Sequence, residues 1–474
     1  MKRKYGVKLI SIAMTGVMLA GCGSAAVPEA KGTSQAAAQG SSAAAPATAS
    51  TAAASTSKAA ETKASTAAKS SADDKTITFW NIGTDEPDKT LWQSAADWYN
   101  KTESPKSGYT VQTVSTTNDQ YKQKLSVAMS AGECPDMYIH WTGGPMNEYI
   151  SSGYAQDITD LMKSSGTTDL YQPAAIKQAT YNGKVYAVPV LNDSVAVFFY
   201  DKKMWKEKGY EVPKTIGDME KLCSKMVADK VTPFALANSS QWTGSMYYMY
   251  LVARMSGTSV INDAYAGKGS LENDATKYAG DTIEKWVKAK YFPEGVNSFS
   301  ADDGEDRALL YKGAGMMLQG SWQVASIKSE NPDFYKNLGC FAFPKLEGSK
   351  ADQSIMVGTI GDNFVSFNCK GDKLKEAFKV AQYYSSSDFE KAAIAAGKVP
   401  PLKTASSQEP AWIDILGLIK NAGEIQLWWD QYLPASVAEV HKSATQKLFD
   451  CSATPEEVEK EQQDAMQEYL SEHK

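Results

Sequence analysis

The chain has 474 residues, is 43% hydrophobic and 22% charged, and carries a formal net charge of −6. No basic patch stands out, which disfavours a nucleic acid as partner. After the N-terminal leader no apolar run approaches the roughly 20 residues that span a bilayer.

Lys2, Arg3, Lys4 and Lys8 form a positive start, followed by an apolar stretch from Leu9 to Ala20. It is too short for a membrane span and has the length of a signal-peptide core. It ends in Leu19-Ala20-Gly21-Cys22, small residues and then a cysteine. This resembles the bacterial lipobox, which implies a signal peptide over 1–21 and a lipid on Cys22; an ordinary secretory signal is the alternative. From Gly23 to about residue 74 the chain is mostly Ala, Ser, Thr, Gly and Gln without aromatics. Such a segment buries too little surface to offset its ordering entropy. Residues 22–74 therefore read as a lipidated cysteine and a tether, with an r.m.s. reach of roughly 40 Å.

The remaining 400 or so residues exceed one compact core and predict two domains. Ile77-Thr78-Phe79-Trp80 predicts a strand, followed by the loop Asn81-Ile82-Gly83-Thr84-Asp85. Leu91, Ala95, Trp98 and Tyr99 mark a helical stripe. A strand over 110–114, a helix over 121–129 and a strand over 136–141 follow. This alternation predicts an α/β domain with a largely parallel sheet. Ligands of such sheets sit beyond the carboxyl ends of the strands, so Asn81–Asp85 and Trp141–Gly144 should share one ligand-facing edge.

Tyr181 to Pro189 predicts a hairpin with an Asn182-Gly183 turn. A polar break at Asn192-Asp193-Ser194 should precede an apolar strand over 195–200. Helices are predicted over 201–208, 216–229, 247–255 and 278–290, and a strand over 314–318 leads to Gly320-Ser321-Trp322. Excluding Cys22, five dispersed cysteines remain, an odd set that makes no disulfide framework. They read as small buried residues, with one bridge left open.

Among 49 basic residues only Arg3, Arg254 and Arg307 are arginines, and bidentate capture of carboxylate or phosphate usually uses arginine. The three histidines, His140, His441 and His473, lack zinc-ligand spacing. Anionic and metal solutes are thereby disfavoured, and no cofactor is expected. Eleven Trp and 24 Tyr, by contrast, are a heavy aromatic load.

Seven motifs in order carry a resemblance. They are Ile77-Thr78-Phe79-Trp80; Pro135-Asp136-Met137; Asn182-Gly183-Lys184-Val185-Tyr186-Ala187-Val188-Pro189; Tyr200-Asp201-Lys202; Gly313 to Trp322; Gly358 to Phe364; and Gly397 with Pro400-Pro401. Together they resemble the extracellular solute-binding proteins of carbohydrate ABC importers, the group that includes maltose-binding protein. The resemblance implies an α/β, two-lobe periplasmic-binding-protein-like fold with discontinuous lobes joined by a multi-strand hinge. Lobe 1 would be 75–190 with 361–405, and lobe 2 191–360 with 406–474. Strands would cross near Val190–Ser194 and Met356–Gly361, with a third crossing around 402–410. The implied partners are a carbohydrate, ABC permease subunits and, through Cys22, the membrane on its extracytoplasmic face; the chain would act as a monomer. A binding protein for a peptide, polyamine or other solute keeps the same fold. A lipid-anchored glycoside hydrolase would need paired acids at a set separation, and no nucleophile elbow or metalloprotease helix is present.

A sugar ring presents an apolar face and a rim of hydroxyls, so its recognition needs flat aromatics and in-plane polar groups. Trp322, after its Gly-Ser turn, stands where the family presents a stacking aromatic; packing on the next helix is the alternative. Trp141 sits at a strand's carboxyl end before Thr142-Gly143-Gly144, while alternation turns His140 into the core. Trp242 lies in the polar loop Asn238–Trp242. Of Trp428 and Trp429 only one can face a cleft, and Asp430 beside them is a candidate for the hydroxyl rim. Asn192 and Asp193 at the first crossing, Asp362 and Asn363 after the second, and Asn81 and Asp85 at a strand end complete the candidates; turn or strand-end capping is their structural alternative. Trp92, Trp98, Trp205, Trp286 and Trp412 read as core.

Overall fold

The computed structural model describes residues 75–473, so the leader, Cys22 and the whole tether lie outside the described residues. β1 (Thr76–Asn81) alternates, with Ile77 and Phe79 fully buried. It pairs in parallel with β2 (Thr110–Ser115) and β3 (Met137–His140). Helices Asp88–Thr102 and Asn118–Ala131 make the connections. Asp136, in the Pro-Asp-Met motif, ties this corner together. Its Oδ2 accepts from Thr78 N at 2.9 Å and Thr78 Oγ1 at 3.1 Å, and pairs with Lys373 Nζ at 2.9 Å.

The parallel arrangement stops there. β4 (Val188–Asp201), β5 (Met317–Gly320), β6 (Leu338–Phe341) and β7 (Met356–Phe367) all pair antiparallel, β7 with β3 and β4, and β4 with β5 and β6. The short β8 (Ile425–Gln426) runs parallel to the start of β7. The expectation of a largely parallel sheet thus holds for β1–β3, with the short β8 making the one other parallel strand pairing among the described residues.

Two strands are shared between the cores. Val188, Val190 and Leu191 of β4 and Phe364, Val365 and Phe367 of β7 join a core with Ile77, Trp92 and Tyr138. Further along β4, Ala196 and Phe198 join a core with Trp205, Tyr247 and Trp286, as Val357 of β7 does. The opposite face of β4, Val195, Val197 and Phe199, packs with Met356, Leu310 and Trp412. Asn192-Asp193-Ser194 is therefore no break. It lies inside one continuous strand, and its polar residues mark register shifts between Pro189 and Asp193 where β4 passes from one core to the next.

No strand forms over 403–409; that third passage is irregular chain after the Tyr171–Leu402 bridge. The Asn182-Gly183 turn has both φ values positive, at 48° and 77°, as a two-residue hairpin of this type demands. All five described cysteines are free, and Cys451 is exposed rather than buried. The helical tryptophans Trp92, Trp205, Trp286 and Trp412 are buried, and half-buried Trp98 stacks on Tyr383. No helix among the described residues is long and apolar enough to cross a membrane.

Candidate functional site

Between the core of β1–β3 and the core around Trp205 and Trp286 lies an open cleft with about 1220 Å³ of empty space. Its second-core wall is aromatic. Trp242 opens the helix Trp242–Ser256, Trp322 follows β5, and Trp428 precedes the short helix Trp429–Tyr432. Trp322 sits in the middle, its ring 5.9 Å from Trp242 and 5.8 Å from Trp428, with interplanar angles near 60°. The Gly320-Ser321 turn makes this possible: a Cβ at Gly320 would lie 2.0 Å from the Trp322 ring. The indole thus folds back over bare backbone and shows its other side to the cleft. Trp141 faces this wall from the first core, with Lys122 Nζ 4.6 Å from its ring centroid.

Of Trp428 and Trp429, only Trp428 lines the cleft; Trp429 packs between Tyr248 and His441. His140 points inward, Nε2 2.7 Å from Ser366 Oγ. The buried indole nitrogens of Trp242 and Trp428 and the amide nitrogen of Asn363 have no protein acceptor. All three residues line the cleft, which thus joins flat aromatic surface to polar side chains, the combination a polyhydroxylated ring requires.

Charged groups gather where the two walls meet. Lys398 Nζ is 2.6 Å from Asp88 Oδ1, and Lys122 Nζ is 3.6 Å from Asp430 Oδ2. Asp362, buried between them, faces Lys398, Lys122, Asp88 and Asp430. Burial pushes its carboxyl up to about 7, against the pull of the two lysines. Asp302 is pushed up to about 6, again by burial, although its Oδ2 accepts from Asp119 N at 3.0 Å. That bond, the Lys122–Asp430 pair and the bond from Ala435 N to Glu148 Oε1 (3.1 Å) link the two sides of the cleft.

Trp322, Trp141, Trp242, Asp362, Asn363, Asp430 and Asp85 all line this cleft. Two expected ligand residues do not. Asn81 is buried, and its Oδ1 accepts from Gly83 N at 2.9 Å and Ser115 Oγ at 2.8 Å. It shapes the loop that presents Ile82, Thr84 and Asp85. Asp193 is also buried; its Oδ2 accepts from Gln172 Nε2 at 3.0 Å and its carbonyl from Ser321 Oγ at 2.8 Å. It braces the β4 crossing against the turn that carries Trp322. Burial also pushes the Asp193 carboxyl up to about 6. The side chain of Asn192 lies outside the described residues.

Sequence reasoning missed Asp88, Lys122, Asp302, Arg307 and Lys398, and left open which of Trp428 and Trp429 faces the cleft. Asp88 is three residues beyond the loop singled out, and Lys398 stands inside the Gly397–Pro401 motif. Lys122, Asp302 and Arg307 carry no local signal, because their partners are distant in the chain.

Residues 94–415 match a family described as bacterial extracellular solute-binding protein. A multiple sugar-binding protein of Streptococcus mutans is 28% identical over 337 residues, 67% of this chain and 73% of that protein. Against several further curated relatives the match spans about half of their length or somewhat more. Among solved structures, one from a study of xylan utilization by the thermophilic bacterium Caldanaerobius polysaccharolyticus has a TM-score of 0.76 at 28% identity, covering 82% of this chain and 99% of that one. A chitin oligosaccharide binding protein has a TM-score of 0.77 at 20% identity, covering 84% and 100%; at that identity the likeness is one of fold.

Proposed function

We propose a sugar-capture role for this chain, which belongs to the bacterial extracellular solute-binding protein family. An oligosaccharide would enter the open cleft, stack on the Trp242–Trp322–Trp428 wall and on Trp141, and give its hydroxyls to Asp362, Asp430 and Asp85. Contacts from both sides would favour the closed state, which would then deliver the sugar to an ABC permease. The observation that carries this reading is the aromatic wall in one cleft with Asp85, Asp362, Asn363 and Asp430. The sugar-binding relative supports the choice of ligand class. The role requires no bond-making and no cofactor. The lobe limits that fit it are 75–190 with 361–405 and 191–360 with 406–474, since β4 and β7 change cores there.

The test is a thermal-shift screen over mono- and oligosaccharides, because a ligand of the folded state raises Tm with concentration. An amine or peptide that shifts melting where no sugar does would replace the carbohydrate reading. With a sugar in hand, Trp322→Ala should cost about 2 kcal/mol of binding, roughly thirtyfold in Kd, by titration calorimetry. Loss of the fold instead would make Trp322 a packing residue.

The anchor belongs to the same proposal. Cys22 would carry the lipid and the tether would hold the carrier beside its permease on the outer face of the membrane. Replacing it, Cys22→Ala, should release folded protein into the medium, seen by immunoblot of cells against supernatant. Retention on cells would argue against lipidation at Cys22.

A further inference from the structure

The charges of the cleft are unequally answered. Its three cations, Lys122, Arg307 and Lys398, are each engaged by a carboxylate, from Asp430, Glu330 and Asp88. Asp85, Glu86, Asp302 and Asp362 also line it and, among the described residues, form no ion pair within 4.0 Å. A ligand carboxylate placed here would meet acids with no free cation to offset them.

Among the described residues Arg307 is the one guanidinium in the cleft wall, and the group best shaped to take a carboxylate or phosphate through two parallel bonds. That edge is already used. Nε donates to Glu330 Oε2 at 2.8 Å and Nη2 to Glu330 Oε1 at 2.6 Å. On the other edge Nη1 donates to Gln323 Oε1 at 3.0 Å and lies 3.8 Å from Asp306 Oδ1, a longer pair that leaves Glu330 as the close partner. Tyr311 OH donates to Glu330 Oε2 at 3.1 Å and fixes the clamp from behind.

We propose that the cleft selects uncharged sugars against uronic-acid-bearing ones, and that Glu330 sets this selectivity by occupying the guanidinium of Arg307. Glu330 is a positioning residue here: it acts on the ligand through Arg307. The proposal rests on the sugar-capture reading and narrows it to one substrate class.

The experiment uses the soluble chain and two probe sets in titration calorimetry. One holds neutral oligosaccharides: xylotriose, cellotriose, maltotriose and raffinose. The other holds acidic ones: methylglucuronic-acid-substituted xylotriose and trigalacturonate. The wild type should bind at least one neutral probe, and bind the acidic probes at least about tenfold more weakly at low salt. Glu330→Gln should narrow that gap about tenfold, and adding Arg307→Met should restore it. Acidic probes binding as well as neutral ones would overturn the selectivity and leave sugar capture standing. A gap unchanged by Glu330→Gln would overturn the role of Glu330. If neither set binds, the carbohydrate reading falls and the selectivity falls with it. Should Glu330→Gln fail to fold, Tyr311→Phe, which loosens the clamp without removing its charge, gives the same readout in smaller measure.

Discussion

Gly144→Ala should weaken sugar binding by about a hundredfold and leave the fold intact. Gly144 begins the helix Gly144–Ser151, just after Trp141, and its backbone meets Leu433 across the cleft. A Cβ there would lie 2.2 Å from the Leu433 carbonyl oxygen and 2.7 Å from its carbon. That oxygen cannot retreat easily, because Leu433 N donates to Trp429 O at 3.0 Å and the side chain is buried in the second core. Overpacking of this kind costs about 1–3 kcal/mol and sometimes more. With backbone on the receiving side the upper end applies, and about 3 kcal/mol exceeds a hundredfold in affinity. The clash disappears if the two sides separate, so opening is the low-cost response. Small-angle scattering should then show a larger radius of gyration, with Tm little changed and Kd greatly raised. The neighbouring Gly143 approaches Gln431 O equally closely but has φ of 92°. An alanine there would add backbone strain to the clash, which makes Gly144 the cleaner site. An unchanged affinity in Gly144→Ala would remove this contact from the bound state.

Asp362→Asn should raise stability by about 4 kcal/mol above neutral pH and by almost nothing near pH 4. The carboxyl is held at about 7 in the folded chain, against an ordinary 3.8, chiefly by burial. The group is therefore raised, not depressed. Below 3.8 both folded and unfolded forms hold the proton, and the residue contributes no pH dependence. Between 3.8 and about 7 the folded chain holds the proton and the unfolded chain does not, so stability falls as pH rises. Above about 7 the whole interval, about 4 kcal/mol, stands as a penalty. An uncharged amide removes it. Urea unfolding of both chains from pH 4 to pH 9 checks the sign and the window, and a gain of equal size at both ends would refute the burial argument. Sugar hydroxyls that donate to the carboxylate favour its charged form, so binding should release a proton near neutral pH, and Asp362→Asn should abolish that release. Calorimetry in buffers of different ionisation enthalpy reads it directly.

Part of this site was legible because two of its aromatic members sit just after strands. Trp141 follows β3, and Trp322 follows β5 across a glycine turn. The rule that ligands lie beyond strand carboxyl ends points to Trp141, whereas Trp322 was picked out by the family resemblance together with its Gly-Ser turn. The loop after β1 was found the same way, but its residues divide by orientation. Asp85 lines the cleft, while Asn81 turns back to hold Gly83 and Ser115. A one-residue change in facing decides between ligand contact and support, and composition does not encode it. Asp193 failed for the reverse reason. A polar triplet in an apolar run reads as a break, yet here it is the passage of one strand between two cores, where Gln172 and Ser321 hold Asp193.

The sequence by itself determined most of the elements and the family, and it offered the candidate lipid site and most of the aromatic residues that line the cleft. These depend on periodicity, turn chemistry and motif order, all properties of neighbouring residues. Only the tertiary structure decided which charges face the cleft and which are already spent. Asp88 meets Lys398, Lys122 meets Asp430, and Gly144 meets Leu433, each across hundreds of residues of chain. No local pattern carries such pairings. They follow from β4 and β7 running antiparallel through both cores, which brings the ends of distant segments to one cleft and leaves Arg307 in Glu330's grip.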